Sequence, residues 1–396
     1  MPTDLASVYR AEYGRCVATL TRLLGDISLA EEAVQDAFTI AVQKWAELPP
    51  NPGAWIVTTA RNRAIDRIRR ESTREARHVQ ALLLHRGDDE PEEVGPVRDD
   101  QLRLIFTCCH PSLSPLAQTA LTLRLLGGLE VPQIARAYLV PEATISQRIV
   151  RAKKKIRDAR IPYRVPTEAE LPARLPPVLT VLYLIFNEGY TASRGELVRA
   201  DLCREALRLA RELASLMPDE PEVLGLLALL LLSEARRPAR VGPSGELVTL
   251  AEQDRSLWDR AMIAEGHAIV RECLRRNRPG PYQIQAAINA VHTDGPTTDW
   301  RQVLALYDQL LQFTPTPIVA LNRAVAVAEV HGPEAALAVV EELELPGYHL
   351  LPATKAELLV RLGRVDAARA AYAEAVALAG NDAERAFLQK RLAELS

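Results

Sequence analysis

Apolar residues recur at helical spacing along nearly the whole chain and strand-like alternation is almost absent, so the pattern predicts an all-α protein. Its most informative stretch is 131–156, VPQIARAYLVPEATISQRIVRAKKKI. Val131, Ile134, Ala135 and Tyr138 make one helical stripe, and Ile145, Ile149, Ala152 and Ile156 make another, so two short amphipathic helices are expected. Leu139-Val140-Pro141 separates them: proline disfavours helix in the residue before it and suits the start of the next helix. Thr144, Ser146, Gln147, Arg148, Arg151, Lys153, Lys154 and Lys155 lie outside the second stripe. A basic face of this kind is either solvated surface or a nucleic-acid reader, with short polar side chains near base edges and cations on phosphates.

Upstream, Ser28 followed by Glu31 reads as a capping box opening a helix whose buried stripe is Val34, Phe38, Ala41 and Trp45. Its outer face carries Glu32, Gln35, Asp36 and Gln43, a pattern that fits plain solvent exposure or a docking surface. Leu48-Pro49-Pro50 ends that segment, and Asn51-Pro52 reads as an N-cap with proline in the first helical position. The helix it opens is expected to bury Val57, Ala60, Ala64 and Ile68 and to turn Arg61, Asn62, Arg63, Arg67, Arg69 and Arg70 elsewhere. Trp55 lies near its start; an aromatic beside arginines stacks unpaired bases, or else packs in a core.

Composition narrows these readings. The chain has 396 residues, a net charge of −3 and an apolar content of 48%, enough for two to four soluble domains with real cores. The net charge argues against indiscriminate nucleic-acid binding, but 61–77 and 148–160 are basic and 88–100 is acidic, so a polyanion would be met by patches. Segment 86–100, RGDDEPEEVGPVRDD, has the composition of a disordered linker. Cys16, Cys108, Cys109, Cys203 and Cys273 lack paired spacing, which suits a reducing cytoplasm. Cys108-Cys109-His110 has no second pair to complete a zinc site and reads as buried helix. No signal pattern opens the chain, and the apolar run 223–232 is too short to cross a bilayer and reads as a core helix.

The strings AEEAVQDAFTIAVQKW, PGAWIVTTARNRAIDRIRRE and VPEATISQRIVRAKKKI, in that order, resemble the two conserved domains of the extracytoplasmic-function (ECF) sigma factors of bacterial RNA polymerase, members of the sigma-70 family. The resemblance covers roughly the first 160 residues. It implies that Glu32, Gln35 and Asp36 dock on the polymerase β′ coiled coil. It assigns Asn51, Trp55, Arg61, Asn62, Arg63, Asp66 and Arg67 to the unpaired −10 strand. Glu142, Thr144, Ser146, Gln147, Arg148, Arg151 and Lys154, on the helix after Pro141, would read the double-stranded −35 element. The acidic segment would thread the RNA exit path of the polymerase, and the chain as a whole would bind the β′ and β subunits.

A typical member of that family stops soon after Arg160; this chain continues. Segment 161–177 is proline-punctuated and reads as a connection, and 178–186 as a helix ended by a turn at Asn187-Glu188-Gly189-Tyr190. Helices are expected at 202–216, 222–232, 256–275 and 282–291, then at 300–313, 317–330, 334–343, 352–362 and 365–378, with Gly332 and Gly363 in corresponding turns. The last set has a tetratricopeptide-like period, an architecture that binds peptides or helices and has no chemistry of its own. The string FNEGY at 186–190 resembles a subgroup of ECF factors whose tetratricopeptide-like extension takes over control otherwise exerted by an anti-sigma protein.

The expected organisation is therefore a first sigma domain at 1–80, an acidic linker at 81–100, a helix-turn-helix sigma domain at 101–160, a Pro-rich connection at 161–177, a helical extension at 178–280 and repeats at 281–396. The expected function is that of a cytoplasmic promoter-specificity subunit, not an enzyme, with no cofactor or metal and no membrane. Its partners are core polymerase, promoter DNA and a protein or peptide ligand of the repeats. A polymerase-independent helix-turn-helix regulator would account for 131–156 but not for 28–70, and a catalytic site around Asn187, Glu188 and His267 lacks the groups to complete it.

Overall fold

The structure is a computed structural model that describes residues 2–45, 47–71, 95–138, 140–191, 198–242 and 245–395. The described residues are helices and connections, with no strand among them. They form two compact units, Met1–Leu184 and Ile185–Ser396.

The first unit contains α1 (Pro2–Leu24), α2 (Ile27–Lys44), α3 (Pro52–Glu71), α4 (Gly95–Cys108), α5 (Pro115–Leu125), α6 (Val131–Tyr138), α7 (Glu142–Asp158) and the start of α8 (Leu171–Tyr190). Helices α1, α2 and α3 pack on one another around Tyr13, Val17, Leu20, Val34, Phe38, Ile56 and Ala60, all buried. The turn from α1 to α2 needs Gly25, whose φ of +71° is left-handed. Asp26 then caps α2, its carboxylate accepting from Leu29 N at 2.9 Å. The expected capping box at Ser28 and Glu31 is displaced by this earlier cap, and Glu31 is instead buried. Helix α2 stops at Lys44, before Leu48-Pro49-Pro50, because Trp45 turns extended and closes the last turn. In α3 the buried position is Ile56 rather than Val57, followed as expected by Ala60, Ala64 and Ile68; the side chains of Arg69 and Arg70 lie outside the described residues.

Most of the expected acidic tether, 86–94, lies outside the described residues, but 95–100 departs from it: these residues form the first turns of α4. Composition pointed to disorder. Asp100 nonetheless has 0% side-chain exposure, with Arg22 Nε at 2.8 Å and Arg103 Nη1 at 3.0 Å, and two guanidiniums make burial of a carboxylate tolerable. Helices α6 and α7 meet at the expected corner, although Leu139 and the side chain of Tyr138 lie outside the described residues. Ile145, Ile149, Ala152 and Ile156 are the buried stripe of α7, which packs on α5 and α6.

The Pro-rich connection is shorter than expected, since α8 starts at Leu171 and holds Pro176 and Pro177 inside it. The turn expected at 187–190 is the last turn of the same helix.

The second unit is built around α10 (Pro221–Glu234), apolar all round and buried on almost every side as a core helix must be. It packs against α9 (Ala200–Leu216), α12 (Arg260–Arg276) and α13 (Pro281–Asp294). The short α11 (Arg237–Arg240) follows it, and a 3-10 turn, Arg255–Leu257, leads to Asp259, which caps α12. Beyond α13 come α14 (Trp300–Phe313), α15 (Pro317–His331), α16 (Pro333–Glu341), α17 (Leu350–Arg361), α18 (Val365–Leu378) and α19 (Asp382–Ala393), each packed on the next. Gly332 and Gly363 sit in the inter-helix turns with φ of +91° and +70°.

His292 on α13 is half-buried, edge-on to Trp300 with ring centroids 5.5 Å apart. Burial, reinforced by the nearby charges of Arg236 and Arg255, pushes it down to about 4. An unfolded chain takes up this proton near pH 6.5, whereas the folded one refuses it until about pH 4. The second unit therefore loses stability as pH falls through that window, by about 2 kcal/mol at pH 5. Urea midpoints at pH 7 and pH 5 measure the loss, and His292→Leu flattens it.

Candidate nucleic-acid interface

Helix α3 is aimed by its own cap. Asn51 Oδ1 accepts from Ala54 N at 3.0 Å and Pro52 supplies the first helical residue, so the apolar face turns onto the core and the polar face outward. On that outward face Asn62, Arg63, Asp66 and Arg67 are exposed, and Arg61 is half-buried with its Nε enclosed. Trp55 is half-buried and rests edge-on against Trp45, with centroids 5.1 Å apart at 67°.

On α2, Glu32 and Asp36 are exposed and Gln35 is half-buried, donating to Glu31 Oε1 at 3.2 Å. Glu32 forms an ion pair with Arg67 of α3. The expected polymerase-docking face and the expected strand-holding face are thus brought side by side. With both partners about half exposed, the pair contributes on the order of 0–1 kcal/mol.

Helix α7 presents the second face. Gln147, Arg151 and Lys154 are exposed in successive turns, with Glu142 exposed at the helix start. Thr144 and Ser146 are half-buried, as is Arg148, whose Nη1 is enclosed without a hydrogen-bond partner among the described residues. Two cations of the expected basic face are engaged within the protein: Lys153 pairs with Glu31 and Lys155 donates to the Ser112 carbonyl. Sequence reasoning missed Val150, 63% exposed among these cations; its signal was an apolar residue one step off the buried stripe. It read Glu31 as half of a capping box with Ser28, whereas the side chain is buried against Arg124 and Lys153.

Cys108, the last residue of α4, and Cys109, in the turn that follows, are both buried, and Cys109 Sγ lies 3.6 Å from Thr122 Oγ1. Burial pushes the Cys109 thiol up to about 12, the reverse of what a metal-binding thiolate requires. His267 faces Thr293 Oγ1 at 2.8 Å and Asp294 at 3.7 Å.

Residues 8–74, which carry the α2 and α3 faces, match the model of Sigma-70 region 2, and residues 103–156, which carry α7, match that of Sigma-70, region 4. Residues 174–274 match a family of unknown function (DUF6596). An uncharacterized protein of Rhizobium meliloti (strain 1021) is 45% identical over 395 residues, covering 96% of this chain and 93% of that one. The probable ECF RNA polymerase sigma factor SigI of Mycobacterium tuberculosis is 28% identical over 161 residues, covering 40% of this chain and 56% of its own. The ECF RNA polymerase sigma factor SigK of Mycolicibacterium vanbaalenii is 30% identical over 159 residues, covering 38% and 80%. No solved structure matches the chain.

Proposed function

The chain belongs to the ECF subfamily of the sigma-70 factors of bacterial RNA polymerase, and from that premise we propose that it joins core polymerase and directs initiation at promoters through two separate DNA contacts. The observation that carries this reading is the pair of exposed cation-bearing faces on α3 and α7, each opposite a buried apolar stripe. Asn62, Arg63 and Arg67, with Asn51, Trp55, Arg61 and Asp66, hold the separated −10 strand, where phosphate contacts and stacking offset the cost of unpairing. Gln147, Arg148, Arg151 and Lys154, with Glu142, Thr144 and Ser146, meet the −35 duplex in its major groove, and Val150 is placed to touch a thymine methyl. Glu32, Gln35 and Asp36 dock on the β′ subunit.

Residues 1–80 and 101–160 act as the two sigma domains, and the helices from 178 onward, tetratricopeptide-like from 281, regulate or complete their activity by binding a peptide or helix. The first unit reaches past Arg160: Tyr163 Oη lies 2.8 Å from the Ala18 carbonyl and 3.0 Å from that of Asp100, and Arg174 Nη2 donates to the Phe106 carbonyl at 2.7 Å. A truncation meant to isolate the sigma domains therefore belongs after α8.

The test is to add the purified chain to core polymerase on a genomic promoter library and sequence the transcripts; specific starts are expected, and their absence refutes the reading. On a selected promoter, Arg148→Ala is expected to relax base preference at one −35 position by about 1–3 kcal/mol. Lys154→Ala weakens all sequences alike and lowers the salt slope of binding by about one. Binding titrations at several salt concentrations separate the two, and the reverse pattern exchanges their roles.

A further inference from the structure

We infer that Arg236, Arg240 and Arg255, gathered around the end of α13, form a binding site for a small phosphorylated molecule in the second unit. The inference rests on the reading that the helices from 178 onward regulate the sigma domains, and it names a class of ligand to which they respond.

The three guanidiniums are held by neutral groups. Arg236, just before α11, donates from Nε to the Leu232 carbonyl at 3.3 Å and from Nη2 to Asn289 Oδ1 of α13 at 2.5 Å. One turn later Arg240 donates to the Tyr190 carbonyl and to Thr191 Oγ1 at 2.7 Å, and its guanidinium carbon lies 4.2 Å from the centroid of the Tyr190 ring. That ring is the tyrosine of the FNEGY string, for which promoter recognition has no use. Arg255 donates to the carbonyl of Gly295, just past α13, and lies 4.8 Å from the centroid of the Trp258 ring. Aromatic faces and carbonyls fix the planes of these cations without neutralising them. All three side chains are half-buried, so each keeps some access to water.

What the cluster lacks is negative charge. Arg208, Arg211 and Arg237 of the same unit each pair with a glutamate, whereas Arg236, Arg240 and Arg255 have no ion pair among the described residues. The acids nearby in sequence are engaged elsewhere: Asp254 and Asp259 accept from backbone nitrogens as caps, and Asp294 faces His267 at 3.7 Å. Glu384 is close enough to act on Arg240, but it already has His349 at 3.3 Å. Burial pushes both Arg240 and His292 down; Arg236 adds to both effects and Arg255 to the second. Positive charge gathered and partly withdrawn from water without a counter-charge is costly. A buried donor deepens the deficit: Trp258, beneath Arg255, is 3% exposed and its Nε1 has no acceptor among the described residues.

The spacing sets the size of the ligand. The anchors of Arg236 and Arg255 on α13, Asn289 and Gly295, are about 9 Å apart at ~1.5 Å per residue. That span suits a small molecule better than a peptide laid across several helices. Each guanidinium has more donors than its present partners use, and its fork matches the oxygens of a phosphate. Phosphate is favoured over carboxylate because one compact phosphate group carries close to two negative charges, against one for a carboxylate. Bound there, it joins α11, the turn at Arg255 and α13, and it stabilises the second unit by mass action.

Titration calorimetry of the full-length chain with pyrophosphate, at constant ionic strength, tests this. One saturable site per chain is expected. Arg236→Gln and Arg255→Gln each keep an amide donor for the oxygens now bonded, and each is expected to weaken binding about tenfold or more. Arg275→Gln, which removes an arginine paired with Glu272, leaves binding unchanged. Histidine ring signals in the NMR spectrum give a second readout that needs no change at the site. Pyrophosphate offsets the charges of Arg236 and Arg255, so the protonation midpoint of His292 rises on binding. The site is refuted if the folded wild-type chain shows no saturable binding, if both variants bind as the wild type does, or if the His292 midpoint stays where it was. Binding of citrate or of a glutamate-rich peptide in place of pyrophosphate also refutes it, since the ligand then belongs to another class. Should a variant unfold, the His292 midpoint of the wild-type chain decides. All of this is read without polymerase, so a negative result leaves the regulatory reading standing; that reading falls if truncation after α8 leaves promoter-specific transcription unchanged.

Discussion

Replacing Asn62 and Arg63 together by alanine is expected to leave binding to core polymerase intact and to lower open-complex formation by about a hundredfold. Both side chains are exposed on α3, opposite the stripe of Ile56, Ala60, Ala64 and Ile68, so their loss removes nothing from the core. Under the proposed function each hydrogen-bonds the separated strand, and a hydrogen bond to a charged group contributes about 1.5–3 kcal/mol; a combined loss near 3 kcal/mol is a factor of about a hundred. Arg61 and Arg67 are poorer choices. Arg61 is half-buried, and Arg67 is paired with Glu32, so its removal would mix strand capture with docking. Permanganate reactivity of unpaired thymines measures opening, and a fluorescence titration with core polymerase measures binding. Equal loss of both would assign the two residues to folding.

Gly225→Val is expected to destabilise the second unit by at least about 3 kcal/mol. A Cβ at this position in α10 would lie 2.6 Å from the backbone nitrogen of Gln283 and 2.9 Å from its Cα, so α13 would have to move as a body. Overpacking of this kind costs about 1–3 kcal/mol where side chains can yield, and more where the obstruction is main chain. The gain in helix propensity over glycine, under about 1 kcal/mol, does not offset it. The same contact is reinforced by Glu222, whose carboxylate accepts from the backbone nitrogens of Tyr282 and Gln283 at 3.1 and 3.3 Å. Chemical denaturation followed by amide exchange in α10 reads the loss; an unchanged midpoint would mean that the two helices part easily.

Many of the helices were legible in the sequence because they bury a stripe at helical period, although α1 and α19 were not read and α10 is buried on almost every side; the corner at Pro141 and the cap at Asn51 were legible because backbone chemistry dictates them locally. Errors arose where a tertiary partner decided the outcome. Asp26 outcompeted Ser28 as the cap of α2 because Gly25 turns the chain two residues earlier than the capping pattern implied. The acidic composition of 95–100 was read as a tether, but Arg22, 78 positions away in sequence, supplies the charge that lets Asp100 be buried. Prolines at 176 and 177 signalled a break, yet α8 runs through them. At the candidate interface the residue types and faces could be read, but which cations are free could not. Lys153 and Lys154 are neighbours of identical type, and only the position of Glu31, 122 residues from Lys153, separates their roles.

The five cysteines lead to a different kind of consequence. All are buried, Cys16, Cys108 and Cys109 in the first unit and Cys203 and Cys273 in the second. Burial holds the Cys16 and Cys108 thiols well above their ordinary range and pushes Cys273 up to about 11. Thiolate is the reactive form, so an intact molecule resists oxidants and alkylating reagents at neutral pH. Each unit thus carries its own chemical clock: the pace at which its sulfurs become modifiable records how often that half of the molecule comes apart, independently of its neighbour.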